Sequence, residues 1–395
     1  MRARRYNIIH RSRAAHPETR ELLIGISSGP RKMAGTSGRL AVDLDNKVFS
    51  SYEQVKKDQQ YRLAEGENEQ FDEDFKFQMC DLSKFTGGSR SEQLEFAHHL
   101  GTALEEIGFA ILTEHGVETS LYEDTFRNIE KFFTETSAET KLQFRAVRHG
   151  SVNQGYFPIR ETSNVHPDLV EGWVFCRRAF NLDPETSPVD VTKFWPDPSW
   201  EKHFRPVVQA HDKLILPIMQ AILMHFGADE HAYDQRLTET NFGFRLNYYP
   251  PLTEDNDTRG AGRMLGHEDM DLFTLLPASP VEGLQVLNRK NMKWIRLNAP
   301  VGSIILNTGD YMQRITNNRL PSTTHRVSRP QDPTMWRVPR TSFPFAVYLW
   351  EQEVLEVLPQ LKQAPHYPPI SAIDFHVGAM AKYYGDDYRQ TGSDS

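Results

Sequence analysis

The chain is short of several things, and each shortage removes a class of protein. Two cysteines, Cys80 and Cys176, in 395 residues cannot build a disulfide scaffold, so a reducing compartment is expected, the cytoplasm by default. Long apolar runs are missing. The longest, Leu214 to Phe226, contains Pro217, Gln220 and His225 and is too short to cross a bilayer, so no membrane span is expected. Leu22-Leu23-Ile24-Gly25-Ile26 is shorter than the apolar segment of a secretory leader. Net positive charge is also missing. The formal charge is -8, and residues 1 to 32, with eight Lys/Arg against Glu18 and Glu21, hold a local +6 that leaves -14 for the rest. An acidic body lacks the basic face that a phosphate backbone needs, which argues against a nucleic-acid partner.

What is present is ordinary globular material, 38% hydrophobic and 25% charged, enough for one large domain. The basic N-terminus, with Arg2, Arg4, Arg5, Arg11, Arg13 and Arg20, is compatible with an organelle transit segment, or with a disordered arm ahead of a start at Met33. Residues 33 to 74 turn polar and acidic, so residues 1–74 are read as a polar, partly disordered extension. A compact domain is expected over 75–385, with 386–395 as a tail.

Within that domain, Phe75, Phe77 and Met79 alternate with polar residues as in a short strand. Leu94, Phe96, Ala97, Leu100, Ala103, Leu104 and Ile107 form a helical stripe, with Ser91 as its N-cap. A buried strand over 108–112 and helices over 119–133 and 198–226 follow. From about 241 to 348 the pattern changes to short strands between Gly, Pro and Asn turns: 242–249, 272–276, 283–287, 293–297, 303–307, 323–328 and 341–348. Such spacing predicts a mixed α and β domain with a mainly β core, a jelly roll braced by helices from both ends of the chain, one of them near 371–384.

The candidate chemistry lies in this β region. His267 and Asp269, in Gly266-His267-Glu268-Asp269-Met270-Asp271, are two apart and share a face if they lie in a strand. With His325 they make the two-imidazole, one-carboxylate set that holds iron(II) and leaves positions open for other ligands. Arg340 with Ser342, and Asn247 with Tyr249, repeat the two-residue spacing. Arg340 offers a fork that matches the far carboxylate of a chelating 2-oxo acid, Ser342 a further hydrogen bond, and Asn247 or Tyr249 can reach a carboxylate of the same ligand. Tyr156, Arg245, Met270, Phe273 and Arg314 are candidate substrate-facing residues, and an inward Arg245 or Arg314 would imply a carboxylate-bearing substrate. Glu268 and Asp271 read as solvated or supporting groups. His98, His99, His366 and His376 read as ordinary helix or loop histidines, Asp310 as a helix N-cap or turn residue and Gln285 as a core-wall residue.

The motifs Asn247-Tyr248-Tyr249-Pro250, His267-Glu268-Asp269, Gly283-Leu284-Gln285-Val286, Asn307-Thr308-Gly309-Asp310, Thr324-His325-Arg326-Val327 and Arg340-Thr341-Ser342, in this order over about 75–385, resemble the iron(II)/2-oxoglutarate-dependent dioxygenases of the isopenicillin N synthase-like branch. One departure is a long loop, Ser328 to Trp336. The resemblance implies a double-stranded β-helix of the cupin-like kind, with iron on His267, Asp269 and His325. It implies 2-oxoglutarate on Arg340, Ser342 and Tyr249, dioxygen as oxidant and ascorbate as a supporting reductant. It implies a monomer or weak homodimer that oxidises an unactivated C–H bond of a small specialised metabolite, releasing succinate and carbon dioxide. Hydroxylation, desaturation and oxidative ring closure, as in the kainoid synthases, all fall within it. Halogenation does not, because related halogenases lack the carboxylate that Asp269 supplies. The alternatives are an iron(II) oxidase of the same fold that uses no 2-oxoglutarate, and a catalytically silent metal-binding protein.

Overall fold

The computed structural model describes residues 48–50, 60–62, 65–66, 68–159, 168–185, 187–253 and 263–384. The expectations for residues 1 to 32, for Met33 and for the 386–395 tail lie outside them. In chain order the elements that build the site are β1 (Met79–Asp81), α1 (Arg90–Ile107), β2 (Phe109–Thr113), α2 (Thr119–Glu135), β3 (Val147–His149), β4 (Val152–Phe157), β5 (Glu171–Cys176) and α3 (Ser199–His225). They continue with β6 (Phe242–Tyr249), β7 (Met264–His267), β8 (Phe273–Pro277), β9 (Leu284–Asn288), β10 (Lys293–Arg296), β11 (Ile304–Thr308), β12 (His325–Val327), β13 (Arg340–Ser342), β14 (Phe345–Val347) and α4 (Ala372–Tyr384).

Two sheets result. The larger runs β1-β2-β11-β8-β14-β6-β5-β4-β3, with β13 also paired to β6; the smaller runs β10-β9-β12-β7. Every pairing is antiparallel except β1 with β2. An apolar cluster joins them, with Tyr249 and Ile305 from the larger sheet and Val286, Ile295 and Val327 from the smaller. This is the jelly roll the pattern predicts.

On the other face of the large sheet lie α1, α2 and α3. Their shared core is aromatic: Phe175 stacks on Trp195 at 3.7 Å between centroids, with Phe132 and Phe204 around them. Helix α1 begins at a capping box in which Ser89 Oγ accepts from Glu92 N–H and the Glu92 carboxylate accepts from Ser89 N–H. It ends at Gly108, whose φ of 76° suits glycine and whose amide closes onto Leu104 O. No helix among the described residues is long and apolar enough to cross a membrane.

Several expectations need correcting. Ser89, not Ser91, caps α1, because only Ser89 has a glutamate three residues on. Leu94, placed on the inward stripe, is 49% exposed. Phe75 and Phe77 pack against the apolar cluster but lie ahead of the strand, which starts at Met79. The 341–348 run is two strands, since Phe343-Pro344 separates β13 from β14 and proline cannot continue a ladder. Strands β3 to β5, absent from the sequence reading, widen the large sheet.

The acidic lead-in is also more than an extension near its end. Phe71 bridges Trp294 and lies beneath the Arg296 guanidinium, while Asp72 accepts from Asn288 and Asn291, both at 2.8 Å. Glu65 accepts from Gln285 at 2.8 Å, and Glu69 pairs with the buried Arg326. Glu65, Glu69, Phe71 and Asp72 thus strap the small sheet.

Candidate functional site

His267 ends β7 and His325 begins β12, and the ladder sets the two residues opposite each other, with ring centroids 4.3 Å apart. Each imidazole is turned by its own backbone: His267 Nδ1 lies 2.9 Å from Leu265 O and His325 Nδ1 3.2 Å from Thr323 O. A carbonyl only accepts, so Nδ1 carries the hydrogen and Nε2 is directed as a lone pair towards the centre.

Asp269 reaches the same point by a different route from the expected one. It lies beyond the end of β7, in a turn, so strand alternation does not align it with His267. The turn is held by Asp310 N–H donating to Asp269 O at 2.8 Å and Tyr311 N–H donating to Asp271 O at 3.0 Å. Asp310, expected as a helix N-cap or a turn residue, is the first residue of a short helix whose N-cap is Gly309. Asp269 Oδ2 accepts from Asn307 and Thr274, both at 2.8 Å, and Oδ1 lies 3.8 Å from Nε2 of each histidine. One ligand atom from each of the three residues falls within 4.8 Å of the others. Burial works to raise the Asp269 pKa, but His325, His267, Asn307 and Thr274 together hold it below the usual carboxylate range. Two imidazoles and an ionised carboxylate suit a divalent iron-type ion.

Behind them, Asp271 is fully buried, with Oδ2 2.6 Å from Thr274 Oγ1. Burial first, and then the Asp269 charge, push it well above its ordinary pKa. The single hydroxyl hydrogen of Thr274 cannot serve both carboxylates. A protonated Asp271 resolves this by donating to Thr274, which then donates to Asp269. Glu268, expected to be solvated or supporting, is 5% exposed and accepts from Thr324 Oγ1 at 3.0 Å.

The second pair of motifs meets on one ladder: Arg340 lies opposite Tyr249 and Ser342 opposite Asn247. Asn247 Nδ2 donates to Ser342 Oγ at 3.3 Å. Arg340 is 3% exposed, donates through Nε to Val281 O at 3.1 Å, and lies over the Tyr249 ring. Its Nη1 is buried with no hydrogen-bond partner, and among the described residues no acid pairs with it. A buried cation of this kind calls for an anion. The nearby Arg337 is exposed. Arg263, which the sequence reading missed, is 2% exposed; burial, and next the Arg340 charge, bring it down to about 10.

Both groups open on one cavity of about 240 Å³ between the sheets. Of the substrate-facing candidates, Arg245 and Met270 line it. Tyr156, Phe273 and Arg314 do not. Tyr156 donates to Glu171 at 2.7 Å inside the aromatic core, Phe273 is fully buried there, and Arg314 donates to Pro368 O with Tyr367 and Phe375 against its guanidinium. On β4 the opposite face, Asn153 and Phe157, looks into the cavity, so a reading of that strand's alternation would have found them. His376, read as an ordinary helix histidine, is 3% exposed and closes the cavity from α4 beside Tyr348. His98, His99 and His366 lie outside the lining, and so does Gln285, which is buried, donates to Glu65 and accepts from Arg326 at 2.7 Å.

Comparison with known proteins places this geometry. Residues 240–347 match the family described as the 2OG-Fe(II) oxygenase superfamily, and residues 78–198 the one described as non-haem dioxygenase in morphine synthesis N-terminal. A 2-oxoglutarate-Fe(II) type oxidoreductase of Emericella nidulans is 26% identical over 332 residues, 78% of this chain and 90% of that protein. Isopenicillin N synthase of Streptomyces griseus is 23% identical over 292 residues, 70% of this chain and 85% of that one. The crystal structure of a full-length Neurospora crassa protein in complex with alpha-KG and thymine superposes with a TM-score of 0.67 at 24% identity, covering 78% of this chain and 96% of the other.

Proposed function

Because the chain belongs to the 2OG-Fe(II) oxygenase superfamily and is an oxidoreductase that works with iron(II) and 2-oxoglutarate, we propose that it oxidises an unactivated C–H bond of a small molecule by hydroxylation, desaturation or oxidative ring closure. The observation that carries the reading is the convergence of His267, Asp269 and His325 in the same cavity as the buried, acid-free Arg340. The fungal relative named as a 2-oxoglutarate-Fe(II) oxidoreductase, and the thymine bound by the Neurospora protein, support a small-molecule substrate. A role in specialised metabolism fits the same relatives.

In this reading His267 Nε2, His325 Nε2 and Asp269 Oδ1 would hold the metal. Bound iron(II), with 2-oxoglutarate and dioxygen, supplies the oxidising power. The chain supplies position. Arg340 receives the far carboxylate of 2-oxoglutarate, Ser342 adds a hydrogen bond, and Asn247 and Tyr249 hold the ladder that aims both. Thr274 and Asn307 fix the unused oxygen of Asp269, so that its partner oxygen faces the metal. Apolar walls such as Phe109, Leu276 and Val327 keep bulk water away. Asp269 leaves no place for a halide, which sets halogenation aside.

Iron(II)-loaded protein given 2-oxoglutarate and oxygen is expected to form succinate, accelerated by the right small molecule. His267→Ala and Asp269→Ala are expected to abolish succinate formation while circular dichroism stays native. Oxygen uptake without succinate, or activity retained in either variant, would overturn the assignment.

A further inference from the structure

Arg245 is a second cation in the cavity, and the site as described makes no use of it. It lies on β6 two residues before Asn247 and four before Tyr249, so the three share the face that lines the cavity. Its Nε is buried without a hydrogen-bond partner, and among the described residues no acid forms an ion pair with it. The Phe157 ring lies under the guanidinium, 5.6 Å from ring centroid to guanidinium carbon. On the neighbouring strand Val174 pairs with Arg245 and Gly172 with Asn247. A side chain at Gly172 would come 3.0 Å from Arg245 Nε, 3.1 Å from Nη2 and 3.3 Å from Asn247 Oδ1. Glycine here puts no side chain over the two-nitrogen edge of the guanidinium.

Arg340 lies opposite Tyr249, and at roughly 3.3 Å per residue the four residues from Tyr249 back to Arg245 span about 13 Å along the strand, so the two arginines are anchored at separate positions of the wall. The ligand chemistry follows from the lining. A planar group with two oxygens and one negative charge fits the Nε/Nη2 edge. Two other acids of the cavity, Asp168 and Glu268, are engaged with Leu265 N–H and Thr324 Oγ1, and their presence disfavours a dianion such as a phosphate monoester.

We propose that Arg245 anchors a carboxylate of the substrate on a subsite formed with Phe157 and the bare backbone of Gly172. The enzyme therefore oxidises a carboxylic acid held at a fixed distance from the metal. The proposal rests on the functional reading above and names the substrate class for it.

Anaerobic protein loaded with iron(II) and 2-oxoglutarate is titrated by calorimetry with acid and amide pairs of equal shape: phenylacetate and phenylacetamide, indole-3-acetate and indole-3-acetamide, N-acetyl-L-proline and its amide. At least one acid is expected to bind ten times or more tighter than its amide. That preference should vanish in Arg245→Gln, fall in Gly172→Ala and survive in part in Arg245→Lys, with 2-oxoglutarate affinity within twofold of wild type in all three. Absence of any acid preference in the wild type, or its persistence in Arg245→Gln, overturns the proposal. So does a loss of 2-oxoglutarate binding in Arg245→Gln, which would move this arginine to the co-substrate. Failure of the wild type to bind 2-oxoglutarate at all would instead strike the functional reading.

Discussion

At the scale of single residues the site depends on groups whose hydrogen bonds leave one atom uncommitted. Arg340 is the clearest case, since Nε is used by Val281 O while Nη1 is buried without a partner. Arg340→Lys keeps the charge but loses the fork. A charge-assisted hydrogen bond contributes roughly 1.5–3 kcal/mol, so the KM for 2-oxoglutarate should rise about tenfold to a hundredfold while the affinity for iron(II) stays unchanged. Steady-state succinate assays and metal titration would check this, and a KM within twofold of wild type would remove Arg340 from the role. His267, Asp269, His325, Arg340 and Ser342 were all legible as spaced pairs plus one distant histidine. Arg263 was not, because it stands in no motif and only the fold brings it near Arg340. The support of Asp269 by Thr274 and Asn307 was hidden for the same reason: they come from β8 and β11, which pair only in the folded sheet.

At the scale of elements, strands buried at every position were read where turn residues frame them, as in β9 and β11. Strand β5, Glu171 to Cys176, is likewise buried throughout and shows no alternation to read, and its neighbours β3 and β4 were lost with it. Helices α2 and α3 have one polar side, and their ends were placed within two residues. In the Phe75 to Met79 segment Phe75 and Phe77 pack against the apolar cluster, but Met79, expected on the same face, is 51% exposed where it enters the ladder beside β2. For Asp269 the convergence with His267 was foreseen for the wrong reason. A turn pinned by Asp310 and Ser322 delivers it, with Ser322 Oγ donating to Asp269 O at 3.2 Å.

At the scale of the whole molecule, acid sensitivity should come from the helical side as well as from the site. His211 of α3 is fully buried against Tyr122 and Phe343, and burial lowers its pKa to about 3. The folded state therefore binds this proton more weakly than the unfolded chain, where the pKa is about 6.5. The stabilisation is complete above that value and is lost as pH falls towards 3, by about 2 kcal/mol at pH 5. His211→Gln should lose less stability than wild type between pH 7 and pH 5 by about that amount in urea unfolding. Equal losses in the two proteins would show that His211 does not carry the effect.

The strap over the small sheet bears on where a minimal catalytic fragment can be cut. The family match begins at residue 78, so homology alone suggests a trimmed enzyme without Glu65, Glu69, Phe71 and Asp72. Arg326, next in the chain to His325 and 1% exposed, would then lose its ion pair with Glu69. A fragment starting at residue 78 should accordingly hold iron(II) more weakly than the full chain, which a competitive chelator titration would register; equal affinity would make the strap dispensable. Homology marks where relatives stop resembling one another, whereas the mechanical support of His325 extends further upstream.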